Sequence, residues 1–303
     1  LKMIKLKRLV QNNRVLYLLL FPAIFSRRLL LKKEDARFFK SYRSMMESVE
    51  GGSLIIRVPD FAGSFEIDIR SHILRRLLRK KSYEPNLVSL INIYIDRQKE
   101  VIDVGANIGL FTVLFSKTIS KGNKVLAVEP TPLAQEYLKK NLDRNECSDS
   151  VMIYEGISTD KQGNYKMNVI SGMEEYSSLG NISHPAVVGK ASCEIDIKGD
   201  TIDNMVERFG LTPGFLKIDT EGAEYLVLKG ALHTIKKEAP IILSELDDDM
   251  LANCGANSKM VIDLLQGNGY EVRDANNMNA PIEAPFRGEI IAFPRSSNSF
   301  LKE

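Results

Sequence analysis

Three polar residues placed after apolar runs could move a proton or hold a cationic ligand. Lys217 and Asp219 stand in the string FLKIDTEG, and Glu245 stands in IILSEL. Strand period two puts Lys217 and Asp219 on one face, with Glu221 just past the strand end. A lysine inside a parallel strand is costly unless paired, so Lys217 requires a carboxylate partner. Asp219 is then either a site residue, receiving a substrate proton or holding a ligand amine, or one half of a structural pair with Lys217. Glu245, at the end of its strand, could serve in the same way. Lys217, Asp219 and Glu245 are therefore the catalytic candidates. Glu224 belongs more simply to the dipole at the start of the next helix.

A ligand cradle lies upstream, in VIDVGANIGLFTVLFS, residues 101–116. Val101, Ile102 and Val104 read as a buried strand, followed by a glycine turn and a helix with Leu110, Val113 and Leu114 at helical spacing. Gly105 and Gly109 leave room where a Cβ would crowd a ligand, and the helix start directs free N–H groups at the same point. Asp103 can accept from a ligand ammonium or from the loop. Ala106 and Asn107 complete the turn. Glu129 and Pro130, after the next strand, suit a ribose. Gly156 and Ile157 lie in the turn after the third strand, together with Ser158, where an adenine edge could meet backbone groups. Tyr83 and Glu84 precede this core where the chain could fold over the ligand.

A dinucleotide fingerprint needs Gly-x-Gly-x-x-Gly, but here Asn107 replaces the second glycine and Leu110 stands at the third. The turn resembles instead the first motif of class I methyltransferases that use S-adenosylmethionine. An NAD-dependent oxidoreductase and a non-catalytic nucleotide-binding module are the alternatives.

The elements that must position these residues alternate. Strands are expected at 124–128, 151–154, in FLKIDTEG and in IILSEL, with helices at 133–141, over EYLVLKGALHTIKK and over SKMVIDLLQGNG. Asp200 or Thr201 caps a helix closed by Gly210. YEVR and EIIAFP end the sheet as an antiparallel pair. This order argues an α/β doubly wound sheet with ligands at the strands' carboxyl ends. The expected domains are a basic, apolar helical extension over 1–48, a β-hairpin and helical lead-in over 49–98, the core over 99–295 and a tail over 296–303. In the lead-in, SHILRRLLRK places Ile73, Leu74, Leu77 and Leu78 opposite Arg75, Arg76, Arg79 and Lys80. That basic face is a solvated surface or a docking surface for an anion.

Of 303 residues, 44% are hydrophobic and 26% charged, an ordinary soluble composition. The net charge of +2 hides nine Lys or Arg and no acid in residues 1–33, which leaves 32 bases against 39 acids elsewhere. The apolar run 15–25 is shorter than the roughly 20 residues a membrane-spanning helix needs. It fits either a helix packed on the body or an interfacial anchor on anionic lipid. Cys147, Cys193 and Cys254 are odd in number and far apart, which points to a reducing, cytoplasmic setting, with the arm able to touch the inner membrane face. No zinc spacing is present and no metal is expected. Asp247, Asp248 and Asp249 read as a solvated loop, and His184 as a solvated loop histidine.

Together, VIDVGANIGLFT, AVEPTP, GDTIDNMVERFG, FLKIDTEGAEYLVLKGA and IILSEL resemble the FkbM-type methyltransferases over roughly residues 82–245, most specifically over 217–224. The resemblance implies a class I (Rossmann-like) fold with a seven-stranded sheet whose last strand is antiparallel. It also implies S-adenosyl-L-methionine as cofactor and O-methylation of a hydroxyl on a sugar, glycolipid, polyketide or related metabolite. The expected partners are such a small-molecule, glycan or glycolipid acceptor, without nucleic acid. The basic arm lies outside the shared pattern.

Overall fold

The structure, a computed structural model, describes residues 37, 41, 52–170, 177–179, 192–280 and 282–295. The arm 1–33, the segment 34–50 apart from two residues, the tail and His184 lie outside the described residues. Among the described residues no helix is long and apolar enough to cross a membrane.

One compact unit, Ser53–Glu303, holds the described elements. It opens with the hairpin β1 (Ser53–Val58) and β2 (Gly63–Asp68), then α1 (His72–Lys80) and α2 (Pro85–Tyr94). The hairpin is tied to the core by two side-chain amides on α4 (Pro132–Arg144) and its C-cap. Asn141 Oδ1 accepts from Glu66 N at 2.7 Å and Asn145 Oδ1 from Ser64 N at 3.0 Å, while both Nδ2 groups donate back to the Glu66 and Ser64 carbonyls. The amides thus stand in for a neighbouring strand.

The central sheet has the order β11-β12-β10-β9-β3-β4-β5. Its parallel members are β3 (Glu100–Val104), β4 (Val125–Val128), β5 (Val151–Tyr154), β9 (Pro213–Ile218) and β10 (Ile241–Asp247). The Val, Ile and Leu side chains of β3, β4, β9 and β10 are buried because helices cover both faces, whereas those of the outer strand β5 are half-buried. β12 (Arg287–Pro294) runs antiparallel between β10 and β11 (Tyr270–Asp274), so the chain's last strand is inserted and is not at the edge. This is the expected α/β class, a doubly wound sheet of seven strands. α3 (Leu110–Thr118) follows β3, and α5 (Ile202–Phe209) is capped by Thr201, whose side chain accepts from Asn204 N, and closed by left-handed Gly210.

Four local expectations change. Ile157 and Ser158 form a strand, β6, and not a turn, because they pair in parallel with Gly199 and Asp200 of β8 (Cys193–Asp200), which also pairs with β7 (Gly163–Val169). The helix after β9 is broken into α6 (Glu224–Lys229) and α7 (Leu232–Glu238). At the break the Gly230 carbonyl accepts from Asp203 N at 2.9 Å, and a Cβ at Gly230 would lie 2.1 Å from the Thr159 carbonyl oxygen. Leu78 is 44% exposed, whereas Ile73, Leu74 and Leu77 pin α1 to the core. Asp247–Asp249 are not a solvated loop: buried Asp247 caps the one-turn α8 (Asp248–Leu251) and pairs with Arg287, while Asp248 accepts from Ser258 N at the start of α9 (Ser258–Gly267).

Candidate functional site

Strand order reverses between β3 and β9, and there the carboxyl ends of β3, β4, β9 and β10 open into a cleft of about 410 Å³. This is where a doubly wound sheet offers a ligand site, and the volume is that of a small-molecule pocket. Tyr83 and α1 line it, as do β6, Met167, Ser177 and Leu179.

The glycine turn at the cleft floor is built for the protein's own contacts. Gly105 has φ 78° and a Cβ there would fall 1.8 Å from the Asp219 carbonyl oxygen. Gly109 has φ 89° and would strike Leu138 at 2.6 Å. These two glycines are therefore required by backbone conformation and packing, and the expectation that they make room for a ligand is corrected. The loop's N–H groups are engaged as well. Gly105 N and Ala106 N donate to the Val128 carbonyl, Asn107 N to Glu129 Oε2, Ile108 N to the Asn107 side chain, and Gly109 N to the Ala106 carbonyl, all between 2.7 and 3.1 Å. Residues 105–109 thus form a saturated turn and not an open anion cradle. Gly156 is packed too: a Cβ would sit 2.5 Å from the Lys198 carbonyl oxygen. Gly105, Ala106, Asn107, Pro130, Gly156 and Ile157 nonetheless all line the cleft; Gly109 does not.

Glu129 lines the cleft but is largely spoken for. Its Oε1 accepts from Thr131 N and Oγ1 at 2.9 and 2.7 Å, and its Oε2 from Asn107 N at 2.8 Å. A carboxylate has about four acceptor sites, so one remains for a ligand, not the pair needed for both ribose hydroxyls. Burial pushes this carboxyl up, and the Thr131 and Asn107 hydrogen bonds oppose that.

Asp103 does not reach the cleft. It is fully buried, accepts from Thr112 Oγ1 at 2.7 Å, and lies 3.5 Å from Lys217 Nζ. The geometry corrects its expected cofactor role: it stands behind Lys217, on the side away from the ligand. Lys217 Nζ sits between Asp103 and Asp219, 3.2 Å from the latter, and 4.9 Å from the centre of the Phe111 ring. The required partner of Lys217 is therefore two carboxylates. Asp219 faces the cleft with its side chain 38% exposed. Among the described residues its Oδ1 accepts no hydrogen bond. Glu221 also lines the cleft, in a left-handed conformation, while Glu224 is buried and accepts from Thr220 N, Thr220 Oγ1 and Gly222 N. Glu224 thus shapes the loop after β9, a more specific task than a helix-dipole contact.

Glu245 lies inside β10, two residues before its end, and points into the cleft beside Asp219. Directly opposite on β12 is Glu289, also in the cleft, held by Asn276 Nδ2 at 2.6 Å. Like charges directly opposed across an antiparallel pair destabilise it. Crowding by the cleft walls, followed by the charges of Asp219, Glu289, Glu224 and Glu84, pushes the Glu245 carboxyl up to about 8, although water still reaches the residue. Glu84 completes the acidic group; it is left-handed, pairs with Arg76, and is itself pushed up by burial. Arg76 also covers the Tyr83 ring at 4.8 Å. Glu289 carries no signal of a site role in its own stretch of sequence, and the pairing of Arg76 with Glu84 is not legible from the basic face it belongs to. The place of Glu289 follows from the pairing of EIIAFP with IILSEL, which brings two glutamates together.

Glu245→Gln follows as a stability test. The folded-state value near 8 exceeds the ordinary 4.5, so the folded chain keeps a proton that the unfolded chain has lost between those limits. Wild-type stability therefore falls as pH rises from about 4.5 to about 8, and glutamine escapes this loss. Thermal unfolding should give Glu245→Gln a higher Tm than wild type at pH 9 and a smaller difference at pH 5.5. An equal difference at both pH values would contradict the assignment. Among the described residues no group of three or more His, Cys, Asp or Glu could hold a metal ion.

With this geometry in place, comparison with known proteins adds a family match: the sequence model described as "Methyltransferase FkbM domain" matches residues 103–272. The chain is similar to methyltransferase sdnD of Sordaria araneosa, 27% identical over 158 residues, 43% of this chain and 59% of the relative. The chain thus spans less than two thirds of that curated relative. Among solved structures it is similar to methyltransferase FkbM of Methylobacillus flagellatus KT, at 18% identity and TM-score 0.42, over 66% of this chain and 44% of the other. It is also similar to an O-methyltransferase from Bacillus cereus in complex with SAH, at 12% identity and TM-score 0.38, over 68% and 77% of the two chains.

Proposed function

Because the chain belongs to the FkbM methyltransferase family, we propose that it transfers a methyl group from S-adenosyl-L-methionine to a hydroxyl oxygen of a sugar, glycolipid or related metabolite. The observation that carries this reading is the contrast in the cleft between a turn whose N–H groups at 105–109 are all engaged and a wall of carboxylates, Glu84, Asp219, Glu245 and Glu289. Such a cleft suits a ligand with cationic centres. A dinucleotide would bring a pyrophosphate to the turn and find no free donor there. The fit to S-adenosylmethionine rests on that donor set. When bound, it supplies an electrophilic methyl group on a sulfonium.

The chain's own residues divide the remaining work. Asp219 holds the ligand amine or takes the acceptor's proton; Glu245 is the second carboxylate within the same space. Lys217 holds Asp219 in place, and so is a positioning residue. Glu129 fixes the turn through Asn107 and Thr131 and offers its remaining acceptor site to one ribose hydroxyl. Pro130, Gly156 and Ile157 form the adenine side, and Tyr83 closes the other.

Calorimetry tests the cofactor. S-adenosylmethionine should bind and NAD should not; the reverse would return the chain to an oxidoreductase. Formation of adenosylhomocysteine that depends on an added hydroxylated acceptor separates an enzyme from a binding module. Glu129→Gln is expected to weaken S-adenosylmethionine by about 2 kcal/mol, roughly thirty-fold, the scale of a hydrogen bond to a charged group. Unchanged affinity in a folded variant would remove Glu129 from the ligand's contacts.

A further inference from the structure

Two buried serines that line the cleft, Ser158 and Ser177, have hydroxyls with no partner among the described residues. The residues are 3% and 5% exposed. A buried hydroxyl without a hydrogen bond costs free energy, and native chains keep few of them. Beside a ligand cleft, a bound ligand can supply the missing partner. Ser158 stands next to Gly156 and Ile157, on the side already given to adenine. Ser177 has no such assignment.

The residue that follows fixes its position. Ser178 N donates to the Asn168 carbonyl at 3.1 Å, and the Ser178 carbonyl accepts from Asn168 N at 3.0 Å, so this segment is bridged to β7. Ser178 Oγ also donates to the Glu221 carbonyl at 3.4 Å, which ties the segment to the loop after β9. In an extended segment alternate side chains share a face. Ser177 and Leu179 accordingly line the cleft, and Ser178 does not. The Ser177 hydroxyl therefore sits on a segment fastened at Glu221, two residues past Asp219.

The chemistry of this patch is neutral. A serine hydroxyl both donates and accepts, and a turn about χ1 moves it between staggered positions. Its neighbours in the lining, Leu179 and Met167, are apolar. Such a patch matches an uncharged oxygen and offers no charge to a phosphate. A ligand that filled the cleft without that oxygen would strand the hydroxyl, and sites built this way reject analogues lacking the group.

We propose that Ser177 is a specificity residue for the methyl acceptor, and that its hydroxyl binds a second, uncharged oxygen of the acceptor besides the one that is methylated. The acceptor is then a neutral, polyhydroxylated, sugar-like molecule. This rests on the methyl-transfer reading above and deepens it by assigning a contact to the acceptor.

NMR titration of the full chain saturated with adenosylhomocysteine tests it, with methyl glucoside, its monodeoxy analogues and glucose 6-phosphate as probes. Methyl glucoside should bind, and one deoxy analogue should bind about ten-fold more weakly, the scale of one hydrogen bond to a buried group. Ser177→Ala should bind methyl glucoside about ten-fold more weakly and should no longer tell that analogue from the parent. Ser177→Thr keeps a hydroxyl and should still tell them apart. With its unpartnered hydroxyl gone, Ser177→Ala should unfold at a Tm no lower than wild type. A lower Tm would mean that the hydroxyl serves the fold, and would overturn the proposal. So would a wild type that binds no methyl glucoside, prefers glucose 6-phosphate or treats all the deoxy analogues alike, outcomes that need no variant. A preference among the analogues that survives in Ser177→Ala also sinks it, as does a matching loss of adenosylhomocysteine affinity, which would move the hydroxyl to the donor. Failure of adenosylhomocysteine to bind the wild type would instead count against the methyl-transfer reading itself.

Discussion

Lys217→Met is expected to destabilise the protein by about 3 to 5 kcal/mol, the cost of breaking a buried ion pair by removing one partner. The side chain of Lys217 is 4% exposed and Asp103 is fully buried. Burial alone would lower the ammonium's pKa, but the charges of Asp219 and then Asp103 more than compensate, and the lysine is held above its ordinary value. Among the described residues Asp103 Oδ1 has no hydrogen bond besides its place in this ion pair, while Oδ2 takes Thr112. Methionine fills the volume beside Phe111 but leaves that oxygen stranded in a dry interior. Urea unfolding should show the loss in the midpoint. Replacing Asp103 by asparagine in the same chain should recover a large part of it, because the stranded charge is then gone. A Lys217→Met protein within about 1 kcal/mol of wild type would mean that the triad contributes nothing to the fold.

Asp219→Asn should leave the fold nearly intact and lower kcat by about 10³-fold or more, within the range of a lost general base. The asparagine oxygen can still accept from Lys217, so the loss falls on chemistry and not on packing. What disappears is the carboxyl oxygen that faces the cleft with no donor among the described residues. Two roles then separate in one binding measurement. Donor affinity falls with kcat if Asp219 holds the amine, and stays constant if it takes only the acceptor proton. Turnover at the wild-type rate would reduce Asp219 to a support for Lys217.

Most of the sheet was legible because its strands carry their own signal. Val125–Val128 and Val151–Tyr154 are short apolar runs between turn residues, and they could be little else. Thr201 and Gly210 bracket α5 by local capping chemistry. What could not be read depends on partners distant in sequence. Nothing in Ile157–Ser158 announces that β8, some forty residues later, will pair with it. The break at Gly230 depends on an N–H from Asp203. The same holds for the site. Lys217 and Asp219 share a strand face and were found together, but the rank of their neighbours was not. Asp103 and Asp219 look alike in sequence; adjacent strands put one behind the lysine and the other in front of it. Gly105 and Gly109 stand out in the sequence as turn glycines, but that the crowding there comes from Asp219 and Leu138 is visible only in the fold.

The inserted position of β12 has a consequence in time. The parallel strands β3, β4, β5, β9 and β10 all precede it in the chain and can pair with one another while it is still free. Until β12 arrives, β10 and β11 each keep an open edge of unpaired backbone groups. The slot must be filled by the most C-terminal strand described, a long-range closure of the kind that sets slow folding rates. That closure also carries Glu289 to its place opposite Glu245. The crowding of these two carboxyl groups therefore exists only with β12 in its slot, and the pairing of the five parallel strands does not require it.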